Sequence, residues 1–103
     1  MNEKTITNGI IKKLNRLDGV KVRKRFSNGS TNGHPDITGT MAVNGLGVRV
    51  EIEVKQPGRW PTKLQFYRLK EYEKMGACVF WADDVDLAVQ SVEDFRHGRK
   101  KSA

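Results

Sequence analysis

The stretch Val48-Arg49-Val50-Glu51-Ile52-Glu53-Val54-Lys55 alternates apolar and charged side chains without a break. Successive side chains on a β-strand point to opposite faces, so this alternation describes a strand with one face in a core. Val48, Val50, Ile52 and Val54 form the apolar face, and Glu51, Glu53 and Lys55 share the other. Gln56-Pro57-Gly58 breaks the strand. Pro61-Thr62 then opens a helix that runs to about Met75 and is closed by Gly76. Thr62 and Gln65 have the spacing of a capping box. The run Ala77 to Ala82 is short, apolar and uninterrupted, the pattern of a strand buried on both faces. A strand, a helix and a second strand in this order predict parallel strands with a right-handed crossover.

Upstream, Asn44-Gly45 is a hairpin signal joining the Val48 strand to one ending at Val43. That strand is preceded by His34-Pro35-Asp36-Ile37-Thr38-Gly39 and by Ser27 to Gly33, a loop with no core residues. Val20, Val22 and Phe26, interleaved with Lys21, Arg23, Lys24 and Arg25, predict a first strand with a basic face. Ile6, Ile10, Leu14 and Leu17 recur at helical spacing from Glu3 onward, and Asp18-Gly19 ends that helix. Glu3 lies on the same stripe, either as an N-terminal charge favoured by the helix dipole or as a site residue. Downstream, Asp84 caps a last helix carrying Val85, Ala88, Val89, Val92 and Phe95. The expected architecture is α/β, in the order α-β-β-β-α-β-α: a mixed sheet of about four strands flanked by helices. Residues 1–96 form one domain, and residues 97–103 are expected to be a disordered basic tail.

Within 103 residues, 19 Lys and Arg stand against 12 Asp and Glu, a net charge of +7. A basic surface favours polyanions, of which nucleic acid is the commonest. The excess lies in the segment before Phe26 and again in Arg99, Lys100 and Lys101. Cys78 is the single cysteine, which excludes an internal disulfide and a cysteine-rich zinc site, and its apolar setting marks it as core. No apolar run approaches the ~18 residues of a membrane span. No secretory signal opens the chain, so a cytoplasmic location is expected.

Glu53 and Lys55 lie about 7 Å apart along one strand face. Alone they read equally well as a same-face ion pair. With Asp36 beside them, two carboxylates can hold a hard divalent cation and the lysine can help activate a water. Glu51 shares that face: three charges in a row there suit a nearby cation or ligand, or Glu51 stands at the sheet edge in solvent. Gln65 is open to a role as cap or as site lining. His34 is expected to be exposed, and Trp81 to be core. Trp60, between Arg59 and Pro61, is placed either to stack on a base or to pack on the helix start.

Pro35-Asp36-Ile37-Thr38-Gly39, Glu51 to Gly58 and Pro61-Thr62-Lys63-Leu64-Gln65 together resemble the VRR-NUC branch of the PD-(D/E)xK nuclease superfamily, in particular its small phage-type members. The run Glu53-Val54-Lys55-Gln56-Pro57-Gly58, with Gln65 after it, is the specific part. The name-giving Val-Arg-Arg run is not intact; Val48-Arg49 and Tyr67-Arg68 are what the chain has. The resemblance implies a restriction-endonuclease-like core. It also implies Mg2+ or Mn2+ held by Asp36, Glu53 and the backbone carbonyl of Val54. Lys55 would act on the attacking water, Gln65 would line the site, and Glu3 would match a glutamate of the family's first helix. The implied activity is a DNA endonuclease working on branched DNA, such as four-way Holliday junctions, as a homodimer in a bacterial host cell. Lys21, Arg23, Lys24, Arg25, Arg59, Trp60 and Lys63 are the candidate DNA contacts. Nicked, flapped or plain duplex DNA, or a non-catalytic nucleic-acid-binding module with the same fold, are the competing expectations.

Overall fold

The computed structural model describes residues 1–26 and 32–101. The elements run α1 (Glu3–Leu14), β1 (Val20–Lys24), β2 (Ile37–Val43), β3 (Leu46–Val54), α2 (Lys63–Lys74), β4 (Cys78–Ala82) and α3 (Val85–Lys101). This is the predicted order. The expected Ser27–Gly33 loop falls partly outside the described residues, which omit 27–31.

The strands form one sheet in the order β1-β2-β3-β4. β1 to β3 pair antiparallel, and β3 and β4 pair parallel, with Glu53 opposite Trp81. The β2–β3 turn has Asn44 at φ 52° and Gly45 at φ 80°. Two successive left-handed residues make the tight turn that matches strand twist, which is why Asn-Gly is found there. β4 is an edge strand, so its middle residues Val79, Phe80 and Trp81 stay half-exposed. Among the described residues, the apolar run that predicted burial on both faces has β3 as its one neighbouring strand.

One face of the sheet carries Val50, Ile52 and Val54, all fully buried against Ile6, Ile10 and Leu14 of α1 and Ala88 and Val92 of α3. The Asn2 side chain accepts a hydrogen bond from the Thr5 N–H at 2.8 Å and starts α1. The helix stops at Leu14, short of the predicted Leu17, because Asn15 leaves it to hold β1. Its side chain donates to the Val22 carbonyl at 3.0 Å and accepts from the Val22 N–H at 2.8 Å. On the opposite face α2 packs over β3 and β4. Its predicted capping box forms between Thr62 and Gln65. Asp84 accepts from the Leu87 N–H at 3.0 Å and opens α3. That helix continues past Arg96, where a disordered tail was expected, as far as Lys101. Arg and Lys are good helix formers, and the single Gly98 costs only about 1 kcal/mol. Among the described residues, no helix is long and apolar enough to cross a membrane.

Candidate metal centre

Asp36 sits where the chain enters β2, and its placement is fixed from both sides. Its Oδ2 accepts from the Val54 N–H at 2.9 Å. Its backbone carbonyl accepts from the Arg25 N–H at 2.7 Å. The preceding carbonyl, of buried Pro35, accepts from Arg25 Nε at 2.8 Å. The Pro-Asp turn is therefore pinned to the end of β1 and to β3, and the Asp36 carboxylate is carried to the C-terminal end of β3.

Glu53 is the neighbour it meets there. Glu53 is 2% exposed, and its Oε1 is enclosed without a hydrogen-bond partner among the described residues. Lys55 Nζ lies 3.7 Å from Glu53 Oε2, too far for a hydrogen bond but close enough to act by charge. Burial pushes the Glu53 carboxyl up to about 8, and the adjacent Asp36 carboxylate, with the hydrogen bond it shares, and Glu3 push the same way. Lys55 opposes the rise. Two carboxyl groups this close, one of them buried, need a proton or a cation between them.

The predicted group of Asp36, Glu53 and Lys55 is thus brought together, with Glu3 near enough for its charge to act on Glu53. Val54 stands between Glu53 and Lys55 on β3, its N–H engaged by Asp36. Among the described residues, no three His, Cys, Asp or Glu side chains form a complete metal cage. Two carboxylates with an orphaned oxygen nevertheless fit a small hard cation, which keeps several waters and takes one or two carboxylates from a protein. Gln65 is held differently. Its Oε1 accepts from the Thr62 N–H at 2.8 Å, and it bonds none of Asp36, Glu53 or Lys55 among the described residues.

Glu51 departs most from expectation. Instead of standing in solvent, it is fully buried. It pairs with Arg25, accepts from Arg49 Nε at 2.7 Å and accepts from Thr38 Oγ1 at 2.5 Å. Both arginines also lie over the Tyr72 ring, 5.7 and 5.1 Å from its centroid. The alternation placed Glu51 on the correct face but carried no sign of its partners. Thr38 lies opposite it only through the β2–β3 register. Arg25, expected among the DNA contacts, is engaged inside the protein by Glu51 and the Pro35 carbonyl. His34 is half-buried rather than exposed, with Nδ1 2.9 Å from the Tyr72 hydroxyl. Burial and then Arg68 hold its pKa below the ordinary value.

Lys21, Arg23, Lys24, Arg59 and Lys63 are exposed. Lys24 has the parity of Val20 and Val22, so it leans to the face opposite Lys21 and Arg23. Trp60 packs on Trp81, with ring centroids 5.1 Å apart, while remaining 71% exposed. Trp81 is half-exposed rather than core, and as the partner of Glu53 it places this pair beside the carboxylates.

No family model matches the chain, and no curated protein matches it. Solved structures do. One, named "VRR_NUC domain protein", has a TM-score of 0.70 and 16% identity over 91% of this chain and 87% of its own. Another, named "VRR_NUC domain", has a TM-score of 0.70 and 25% identity over 88% of this chain and 94% of its own. Both bear the VRR-NUC name and share the fold that the sequence resemblance implied.

Proposed function

We propose, from the VRR-NUC fold as premise, that this chain is a nuclease, and specifically a divalent-metal-dependent DNA endonuclease. The observation that carries the reading is the enclosed Glu53 Oε1, without a hydrogen-bond partner among the described residues, set against Asp36 and beside Lys55. Asp36, Glu53 and the Val54 carbonyl would hold Mg2+ or Mn2+. The bound ion supplies polarisation of the phosphate and a lowered pKa for the attacking water. The Val54 N–H fixes one oxygen of Asp36, so that carboxylate is oriented before any substrate arrives. Lys55 Nζ orients the attacking water and steadies negative charge on the phosphate. Glu3 adds negative charge that favours a cation in the same place.

Lys21, Arg23, Lys24, Arg59 and Lys63 supply exposed positive charge for a phosphate backbone. Trp60, packed at a tilt on Trp81 yet 71% exposed, offers a ring for a base or sugar. The substrate of this proposal is branched DNA, foremost the four-way junction, cut by a homodimer whose paired sites relate by a twofold axis. Light scattering that finds only monomer, with or without DNA, removes paired cutting from the account.

Asp36→Ala, Glu53→Ala and Lys55→Ala are each expected to lose cleavage while retaining DNA binding in a gel-shift assay. Full activity in any one of them overturns the site. Binding by the wild type without cutting in either metal moves the reading to a non-catalytic nucleic-acid module.

A further inference from the structure

Glu53 belongs to a sheet face that helix α2 covers mainly over β3 and β4. The strand register lays two further cross-strand rows on that face beyond the candidate metal centre. The nearer row is Arg23–Thr38–Glu51, and the farther is Lys21–Thr40–Arg49. Arg23, Thr38, Thr40 and Arg49, with Gly39 and Gly47, line an open cavity of about 400 Å³. Its lining contains no large apolar side chain and no carboxylate.

Arg49 is oriented before any ligand arrives. Its Nε donates to Glu51, and its guanidinium lies over Tyr72. Its side chain is nonetheless 54% exposed. Among the described residues its terminal nitrogens make no other hydrogen bond. An arginine held by one nitrogen, with the rest of its fork open, is preorganised for a phosphate. Glu51 does not cancel this row, because it is fully buried and shared between two arginines. Lys21, Arg23 and Arg49 leave the open face cationic, and Thr40 adds an exposed hydroxyl.

We propose that this bare face is a phosphate track, along which one strand of duplex DNA lies as it leaves the metal centre. Arg49 is its anchor, with Lys21, Arg23 and Thr40 beside it. Arg49 stands four residues from Glu53, about 13 Å along β3. A duplex covers that length in a few nucleotides, at about 3.4 Å per step. The position of the cut bond relative to the track rests on the nuclease reading; the track itself does not.

The test is fluorescence anisotropy with a labelled linear duplex in EDTA, so that no turnover enters, across about 50 to 200 mM salt. The full chain is compared with Arg49→Gln, with Lys21→Gln/Arg23→Gln, and with Lys12→Gln/Arg16→Gln. The last pair removes exposed charge from α1 and its C-terminal end, on the opposite face. The salt slope is expected to fall by about 0.9 for each phosphate no longer neutralised in the first two, and to stay unchanged in the third. Arg49→Lys is expected to bind between wild type and Arg49→Gln, because it keeps the charge and loses the fork. Circular dichroism checks the fold of Arg49→Gln, in which Glu51 retains Arg25 and Thr38. Wild-type affinity and slope in both track variants, or equal loss in the α1 control, overturns the proposal. Track variants that bind unchanged in a protein that cuts DNA refute the track and leave the nuclease reading standing. Track-dependent binding in a protein that never cuts does the reverse.

Discussion

At the scale of the residue, Glu53 links stability to the site. In the folded chain its carboxyl is pushed up to about 8, against an ordinary value of 4.5. Between those values the folded chain holds a proton that the unfolded chain has released. The contribution of Glu53 to stability is therefore full below about pH 4.5 and is lost as pH rises towards 8. Metal-free protein is expected to melt lower at pH 8.5 than at pH 5.5. Glu53→Gln is expected to reduce that difference and to melt above wild type at the higher pH. Identical pH dependence in the two proteins would contradict the enclosed carboxyl. Arg25 gives a second prediction, since its removal leaves buried Glu51 with one exposed arginine and Thr38. Arg25→Ala should cost about 3 kcal/mol by urea unfolding, the low end of a broken buried pair. Asp36, Glu53 and Lys55 were legible in the sequence because a strand alternates faces and a Pro-Asp turn is distinctive. The Glu51 network was not, because Arg25, Thr38 and Tyr72 reach it only through the folded register and the packing of α2.

At the scale of the element, the start of α2 and the β1–β2 pairing can be tested separately. Thr62→Ala removes the side chain that accepts from the Gln65 N–H at 3.1 Å and should cost about 1 kcal/mol. Gln65→Ala should lower the urea midpoint similarly, and a loss of cleavage far beyond that instability would restore Gln65 to the site. Gly39 is constrained by close approach alone. A Cβ there would lie 2.1 Å from the Lys21 carbonyl oxygen and 2.6 Å from Val22 Cα, both backbone atoms that cannot swing aside. Gly39→Ala is expected to destabilise the fold by about 3 kcal/mol, the upper part of the range for overpacking, with β1 displaced from β2. The periodicity of 48–55 and the Asn44-Gly45 turn made the sheet readable from sequence. The edge position of β4 was not readable, because an apolar run does not reveal how many strands flank it. The early end of α1 was hidden for a similar reason: Asn15 leaves the helix for a partner, Val22, on the next strand.

At the scale of the whole molecule, function rests on how charge is divided. The net charge of +7 is consistent with a polyanionic partner. At the candidate metal centre, in contrast, Asp36, Glu53 and Glu3 place three carboxyl groups near one lysine, and their mutual repulsion helps hold Glu53 protonated. In the proposed reading, DNA drawn to the basic surface would bring phosphate to these carboxylates, where a cation would be needed to offset their charge. The central claim is tested most directly by incubating the purified chain with a labelled four-way junction and its matched linear duplex, each with Mg2+, with Mn2+ and with EDTA. The account predicts cutting of the junction in metal, little or none of the duplex, and none of either in EDTA. Cutting that persists in EDTA, or no cutting of either DNA in both metals, would contradict it.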